Sequence, residues 1–190
     1  MATPSDPRVD AARTAVPFIA PIAAVFVVAA FPAVFAGMPV PIVAVTVVLG
    51  CFLVVLSAID AATYRLPDAG TLPLIVLGLA TAAVVDAAPW IWHAIGAVAG
   101  YVVLWGIAWS YRRLRGADGL GLGDAKLAAA GGAWVGLAGL PTVLLVASLA
   151  ALALVAAVST LRRKGRLRIV PFGPFLSIGI WYVWLYGPLG

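Results

Sequence analysis

Long apolar runs follow one another along almost the whole chain, separated only by short polar breaks. Of the 190 residues, 64% are hydrophobic and only 10% are charged. A helix that crosses a hydrocarbon core of about 30 Å needs roughly twenty such residues. A soluble domain of this length would need far more polar surface. The composition therefore predicts an all-α fold, a polytopic bundle of membrane-spanning helices.

The polar breaks divide the chain into about seven predicted transmembrane helices. These spans cover residues 16–36, 40–59, 70–88, 90–111, 124–140, 142–161 and 171–187. The break at Leu140-Pro141 is weak, so residues 124–161 also fit a tight helical hairpin. We expect one transmembrane domain over 16–190 and a disordered cytoplasmic tail over 1–15. Residues 1–36 have some resemblance to a signal peptide, so the first span is either cleaved or retained.

The basic residues predict the orientation of the chain in the membrane. All twelve Lys and Arg residues fall in alternate breaks, and the other breaks have none. The positive-inside rule then places the N-terminus and the loops near 60–68, 112–124 and 162–168 in the cytoplasm. Clusters beside apolar spans are typical of contact with anionic lipid, so we expect the bilayer as a partner and no nucleic acid.

Metal chemistry based on histidine or cysteine is excluded by the composition. Cys51 is the only cysteine and His93 the only histidine. A zinc site needs three or four nitrogen or sulfur ligands. No metal and no cofactor are predicted.

Two aspartates lie closest to predicted spans on the cytoplasmic side. Asp60 follows one span and Asp124 opens another, and two crossings lie between them. A charged side chain costs about 2.5–3.5 kcal/mol at the centre of a bilayer and less near its surface. Taken alone, Asp124 fits a helix cap and Asp60 fits an interfacial residue. Taken together, the pair predicts a functional site.

Three motifs connect these aspartates with a known family. They are Asp60-x5-Leu66-Pro67-Asp68, Gly121-Leu122-Gly123-Asp124-Ala125-Lys126-Leu127 and Pro171-Phe172-Gly173-Pro174-Phe175-Leu176. In this order they resemble the bacterial type IV prepilin peptidases, which are GxGD intramembrane aspartyl proteases, over about residues 40–190. Asp118-Gly119 stands where that family usually has Glu-Gly, a departure that keeps the charge.

The resemblance implies an aspartic endopeptidase that needs no cofactor. It implies that the chain cleaves the short basic leader peptide of type IV-like prepilins at the cytoplasmic face of the inner (plasma) membrane. The catalytic pair would be Asp60 and Asp124. The supporting motif residues would be Leu66, Pro67, Asp68, Gly121, Gly123 and Lys126. The long bacterial enzymes also N-methylate pilins through a domain with paired CxxC motifs, which this sequence does not contain. The chain resembles the short form, and no methyltransferase activity is expected.

Three questions stay open at the level of the sequence. Because a helix dipole favours an anion at its N-terminus, Asp124 is hypothesised to be the ionised base and Asp60 the acid. The glycines of residues 116–123 fit a flexible loop or a close approach to an extended substrate. A small ion-coupled transporter that uses Asp60 and Asp124 as cation or proton sites is the alternative function. The sequence does not define the oligomeric state.

Overall fold

The computed structural model describes residues 22–24, 26–27, 38–85, 89–116, 121–161 and 170–189. Five helices lie in these ranges: α1 (Val40–Thr63), α2 (Asp68–Val85), α3 (Trp90–Arg115), α4 (Leu122–Leu161) and α5 (Gly173–Tyr186). These residues include no β-strand, which confirms the all-α fold. The predicted tail at 1–15 and the arginine-rich break at 162–168 lie outside the described residues, as does most of the predicted span 16–36.

Helix α1 carries the first aspartate inside its last turn. The helix ends at Thr63, four residues beyond the predicted span. Tyr64 ends it with a left-handed conformation (φ 54°), and its N–H donates to the Asp60 carbonyl. Asp60 is therefore fixed by helical backbone rather than carried by a loop.

A proline sets the start of helix α2. Pro67 precedes the first helical residue, and its carbonyl accepts the N–H groups of Gly70 and Thr71. Since proline lacks an N–H and fixes φ, it fits this position and prevents α1 from continuing into α2. The predicted end of the preceding helix before Pro67 is confirmed.

Helix α4 is a hairpin of two helical halves rather than one straight rod. Its 40 residues would extend about 60 Å if they were straight. Gly136 has non-helical angles (φ 70°, ψ 177°), which favour glycine. A Cβ atom on Gly131 would lie 4.0 Å from the Val143 side chain, so the two halves lie side by side. The predicted hairpin is confirmed, but its turn is at Gly136 and not at Leu140-Pro141.

Glycines bring helices α3 and α4 into backbone contact. A Cβ on Gly100 would collide with the Ala128 carbonyl, and one on Gly132 would collide with the Gly96 carbonyl. Small residues of this kind let membrane helices approach closely, where packing replaces the hydrophobic effect. These two helices form the most extensive helix pair of the bundle.

The remaining packing leaves the two aspartate-bearing helices separated. Helix α5 packs on both α1 and α4, and α2 packs on α1, α3 and α4. Within the described residues, no Cα atoms of α1 and α4 lie within 8 Å of each other. The relative position of the aspartates therefore depends on α5 and α2.

The outer surface of the bundle is apolar. Helix α3 exposes large hydrophobic side chains along its length: Val98, Val102, Trp105, Ile107 and Trp109. In the described part of the chain, helices α1 to α4 are long and apolar enough to cross a membrane, whereas α5 has only 14 residues. The chain is an integral membrane protein. The described residues contain α1, α2, α3 and α5, the two halves of α4, and helical residues among 22–27. This number agrees with the prediction of about seven helices.

Candidate functional site: a buried pair of aspartates

Two carboxylates are buried at the same end of the bundle. The exposed fraction is 5% for Asp60 and 8% for Asp124. Asp60 lies in the last turn of α1, and Asp124 lies in the first turn of α4. Buried carboxylates are uncommon unless they are paired or functional. Their burial at one end of the bundle is the geometry that the motif spacing predicts.

Asp60 is held by the start of helix α5. The Gly173 N–H donates to its Oδ2 over 2.9 Å in a buried hydrogen bond. A Cβ on Gly173 would lie 2.6 Å from the same oxygen and 3.0 Å from the Asp60 Cγ. Only glycine therefore lets this backbone donor reach the carboxylate. Pro174 follows in the first turn, as is common at a helix start.

Asp124 is held by the start of its own helix. Its Oδ2 accepts the Gly121 N–H over 3.3 Å, while its N–H donates to the Gly121 carbonyl over 3.2 Å. The bond to Oδ2 is the half of a capping box that the third helical residue supplies, and Gly121 has no side chain for the other half. The interpretation of Asp124 as a helix cap is correct for its Oδ2 atom. A cap alone does not require the burial of Asp124 or its proximity to Asp60.

The two carboxylates interact through space. The charge of Asp60 acts on the Asp124 carboxylate. Among the described residues, no hydrogen bond joins them directly.

The structure removes the basis for telling the two aspartates apart by helix polarity. Asp60 lies at the C-terminal end of α1, as predicted, but its carboxylate faces the N-terminal end of α5 through Gly173. Asp124 also faces a helix N-terminus. Both carboxylates therefore lie in the positive field of a helix start. The assignment of acid and base stays a hypothesis without support from the dipoles.

The segment after α1 is fastened to the start of α4 at two points. A Cβ on Gly123 would lie 2.8 Å from the Leu66 Cβ and 3.3 Å from the Leu66 N, so the two segments are in tight contact. Lys126 Nζ forms an ion pair with Asp68 at 2.5 Å. The predicted cap at the start of α2 is replaced by this pairing, since the Asp68 side chain reaches α4 instead. Gly123 is thus explained by internal packing, and not by loop flexibility.

The structure brings the predicted site residues together and adds one more. The supporting residues Leu66, Asp68, Gly123 and Lys126 join α2 to α4, and Pro67 and Gly121 begin those helices. Gly173 was missed as a site residue because a backbone donor leaves no side-chain signal. The only signal was its place in the motif of residues 171–176, next to a proline that predicts a helix start.

The chemistry available at this end is that of carboxylates. Within the described ranges, no group of three or more His, Cys, Asp or Glu side chains could hold a metal ion. His93 is buried in α3 far from the pair, and its Nδ1 donates to the Ala133 carbonyl over 3.0 Å. Two neighbouring carboxylates supply a general base and a general acid when one of them holds a proton.

The fold and the site define a class: an integral membrane protein of packed helices with a buried pair of carboxylates at one end. The type IV leader peptidase family matches residues 47–156, which is more than half of the chain. The chain belongs to this family.

Several curated relatives are similar to the chain over most of its length, and all carry the name prepilin leader peptidase/N-methyltransferase. The protein from Xanthomonas campestris is 41% identical over 144 residues, which cover 74% of this chain and 49% of the relative. The Burkholderia pseudomallei protein is 48% identical over 135 residues, covering 67% and 41%. The Escherichia coli protein is 44% identical over 132 residues, covering 68% and 57%. The chain thus matches about half the length of these relatives. No solved structure matches the chain significantly.

Proposed function

We propose that the chain is an intramembrane aspartic endopeptidase that removes the leader peptide of type IV-like prepilins. The family and the names of the relatives support prepilin processing. The observation that carries the proposal is the pair of buried carboxylates, Asp60 and Asp124. They come from different helices, and each is held by a backbone N–H.

The proposed reaction is hydrolysis without a covalent intermediate. One carboxylate accepts a proton from a water molecule as this water attacks the scissile carbonyl, and the other, protonated, donates to the carbonyl oxygen. Collapse of the tetrahedral intermediate breaks the C–N bond, and the amine leaves with a proton from the pair. The rigid positions of the two side chains supply the orientation that such a reaction needs.

We further propose that the site faces the cytoplasm of the inner membrane. The described cations Arg65, Arg112, Arg113, Arg115 and Lys126 lie in the segments that end α1, end α3 and begin α4. These segments belong to the end of the bundle that carries Asp60 and Asp124. The positive-inside rule assigns such an end to the cytoplasm. A prepilin whose leader remains in the cytoplasm would present its cleavage site at this depth.

The test is leader removal in cells that co-express the chain with a prepilin of the same organism. Asp60→Asn and Asp124→Asn keep the side-chain size and remove the carboxylate. Each is expected to abolish the gel shift that marks leader removal, because neither carboxylate alone supplies both a base and an acid. The matched variant is Asp68→Asn, which alters an exposed carboxylate in the same region (58% exposed). We expect this variant to reduce cleavage without abolishing it.

The same variants distinguish the peptidase from the transporter that the sequence left open. Cleavage that survives Asp60→Asn or Asp124→Asn contradicts the two-aspartate mechanism. Proton or cation flux in proteoliposomes that depends on both aspartates, with no cleavage of any prepilin, would support a transporter instead. Membrane levels of every variant, measured by immunoblot, separate lost activity from lost protein.

A further inference from the structure

Two buried serine hydroxyls lie near the aspartate pair without a hydrogen-bond partner. Ser57 in α1 and Ser177 in α5 are both 0% exposed. Neither Oγ atom has a partner among the described residues. An unpaired buried hydroxyl costs about 1–3 kcal/mol, so such groups are rare and commonly bind an internal water molecule. Thus two in one helix interface require an explanation.

The position of Ser57 on α1 directs it towards α5. At about 100° per residue, Ser57 lies roughly 20° around the helix from Gly50 and roughly 60° from Asp60. Both of these neighbours contact α5: a Cβ on Gly50 would lie 3.0 Å from the Trp181 ring, and Asp60 accepts the Gly173 N–H. Ser57 therefore lies on the same face of α1.

The position of Ser177 on α5 directs it back towards α1. Ser177 follows Gly173 by four residues and precedes Trp181 by four, so the three form one stripe on the helix. The first and last members of this stripe contact α1 at Asp60 and Gly50. The two serines thus lie on facing surfaces. At a rise of about 1.5 Å per residue, both are about 4.5–6 Å deeper in the bundle than the bond between Asp60 and Gly173.

We propose that Ser57 and Ser177 form a binding site for an internal water molecule, and that this water hydrogen-bonds the Asp60 carboxylate from the membrane side. Two successive O–H···O bonds span about 5.5 Å, which matches the depth of the serines below Asp60. An internal water needs about two to four polar partners, and two hydroxyls with one carboxylate supply three.

The water site gives Asp60 a second point of attachment. The Gly173 N–H fixes Oδ2 from one side. The bound water fixes the carboxyl group from below, so that its plane cannot rotate about the Cβ–Cγ bond. Ser57 and Ser177 are then positioning residues for Asp60. This role rests on the proposed function of the aspartate pair.

The test compares Ser57→Ala, Ser177→Ala and the double variant with the wild type in lipid nanodiscs, using a purified prepilin. We expect kcat for the double variant to fall about tenfold, the effect of one hydrogen bond to a charged group, with KM unchanged. We expect Tm to change little, because the double variant removes the two hydroxyls together with the water that satisfies them. A defect in packing would instead lower Tm.

A matched control removes a hydroxyl that has partners elsewhere. Thr46 Oγ1 donates to the Ile42 carbonyl and accepts the Trp184 indole N–H near the other end of α1. Thr46→Val is expected to lower Tm and leave kcat unchanged. The double serine variant is therefore expected to lower kcat, whereas Thr46→Val is expected to lower Tm.

A second measurement detects the water directly in the wild-type protein. Radiolysis of bound water labels the side chains around it, so Leu56 and Leu176 should be labelled although they are 1% and 0% exposed. Val143 in α4, also 0% exposed, packs against Gly179 on the opposite side of α5 from Ser177 and should not be labelled. Unlabelled Leu56 and Leu176 would overturn the proposal.

The outcomes separate this inference from the proposed function. An unchanged kcat with a raised Tm in the double serine variant means that the hydroxyls are dry, and the water site is then wrong. If Asp60→Asn and Asp124→Asn abolish cleavage in the same assay, the peptidase proposal survives that result. If the aspartate variants still cleave, the peptidase mechanism itself fails.

Discussion

The replacement Gly173→Ala should disable the site while leaving the bundle folded. The new Cβ would lie 2.6 Å from the Asp60 Oδ2, 3.0 Å from its Cγ and 3.2 Å from its Cβ. The Asp60 carboxylate is the end of a short side chain and moves more easily than two packed helices. It should therefore rotate away from the Gly173 N–H, and the 2.9 Å hydrogen bond should be lost.

The expected size of the effect follows from that hydrogen bond. A hydrogen bond to a charged group contributes about 1.5–3 kcal/mol. If this whole contribution is lost in the transition state, kcat falls roughly 10- to 150-fold. The assay is the rate of prepilin leader removal in nanodiscs, with Tm measured on the same samples. Stability should also fall by about 1–3 kcal/mol, because the buried Asp60 carboxylate and the Gly173 N–H lose their partner.

The matched control for Gly173→Ala is Gly106→Ala in α3. A Cβ at Gly106 would have no heavy atom within 4 Å. This control should keep the wild-type rate and gain up to about 1 kcal/mol of stability, because glycine in a helix interior costs that much relative to alanine. If Gly173→Ala cleaves as fast as Gly106→Ala while Asp60 is still required, the N–H of Gly173 does not position Asp60.

Two further predictions concern the contacts between α2 and α4. Gly123→Ala places a Cβ 2.8 Å from the Leu66 Cβ, an overlap that should cost about 1–3 kcal/mol of stability and reduce cleavage. The double variant with Leu66→Gly should regain part of the stability and part of the cleavage rate. If it regains neither, the two residues do not clash directly. Lys126→Asp should slow cleavage, and Asp68→Lys in the same chain should restore it by reversing the ion pair. Because these side chains are 30% and 58% exposed, the free energy of unfolding should change by less than about 1 kcal/mol in either single variant. A double variant as slow as the single ones would show that the ion pair does not fasten the site.

The sequence predicted the helices and the aspartate pair because their signals are local. Apolar runs and polar breaks place α1 to α3 to within a few residues. The proline of the Leu66-Pro67-Asp68 motif separates α1 from α2, and the glycines before Asp124 begin α4. Two predicted membrane spans separate Asp60 from Asp124, so the sequence places both residues at the same face of the membrane.

The turn inside α4 was predicted at the wrong residue for a physical reason. Proline is a strong helix breaker in the interior of a helix, so Leu140-Pro141 was the natural place for a break. A proline inside a helix, however, removes one hydrogen bond and bends the helix without reversing the chain. Pro141 lies inside the second half of α4, five residues after Gly136, whereas Gly136 provides the positive φ that the reversal requires.

The partners of the site residues could not be predicted from the sequence. The contact between Gly173 and Asp60 joins residues that are 113 positions apart, and the pair of Lys126 and Asp68 joins residues that are 58 apart. Neither separation has a periodicity that sequence analysis can detect. The polarity argument for acid and base was incomplete for the same reason, since it considered each aspartate only in its own helix.

The packing of α5 also determines when the site can form during synthesis. Within the described residues, no Cα atoms of α1 and α4 lie within 8 Å of each other, and α5 packs on both helices. On the ribosome α5 follows both aspartates, so Asp60 has no Gly173 N–H to hold it until α5 has been made and inserted. A growing chain therefore carries an incomplete aspartate site while α1 to α4 enter the membrane. Any chemistry that needs both held carboxylates can begin only after α5 has packed against α1.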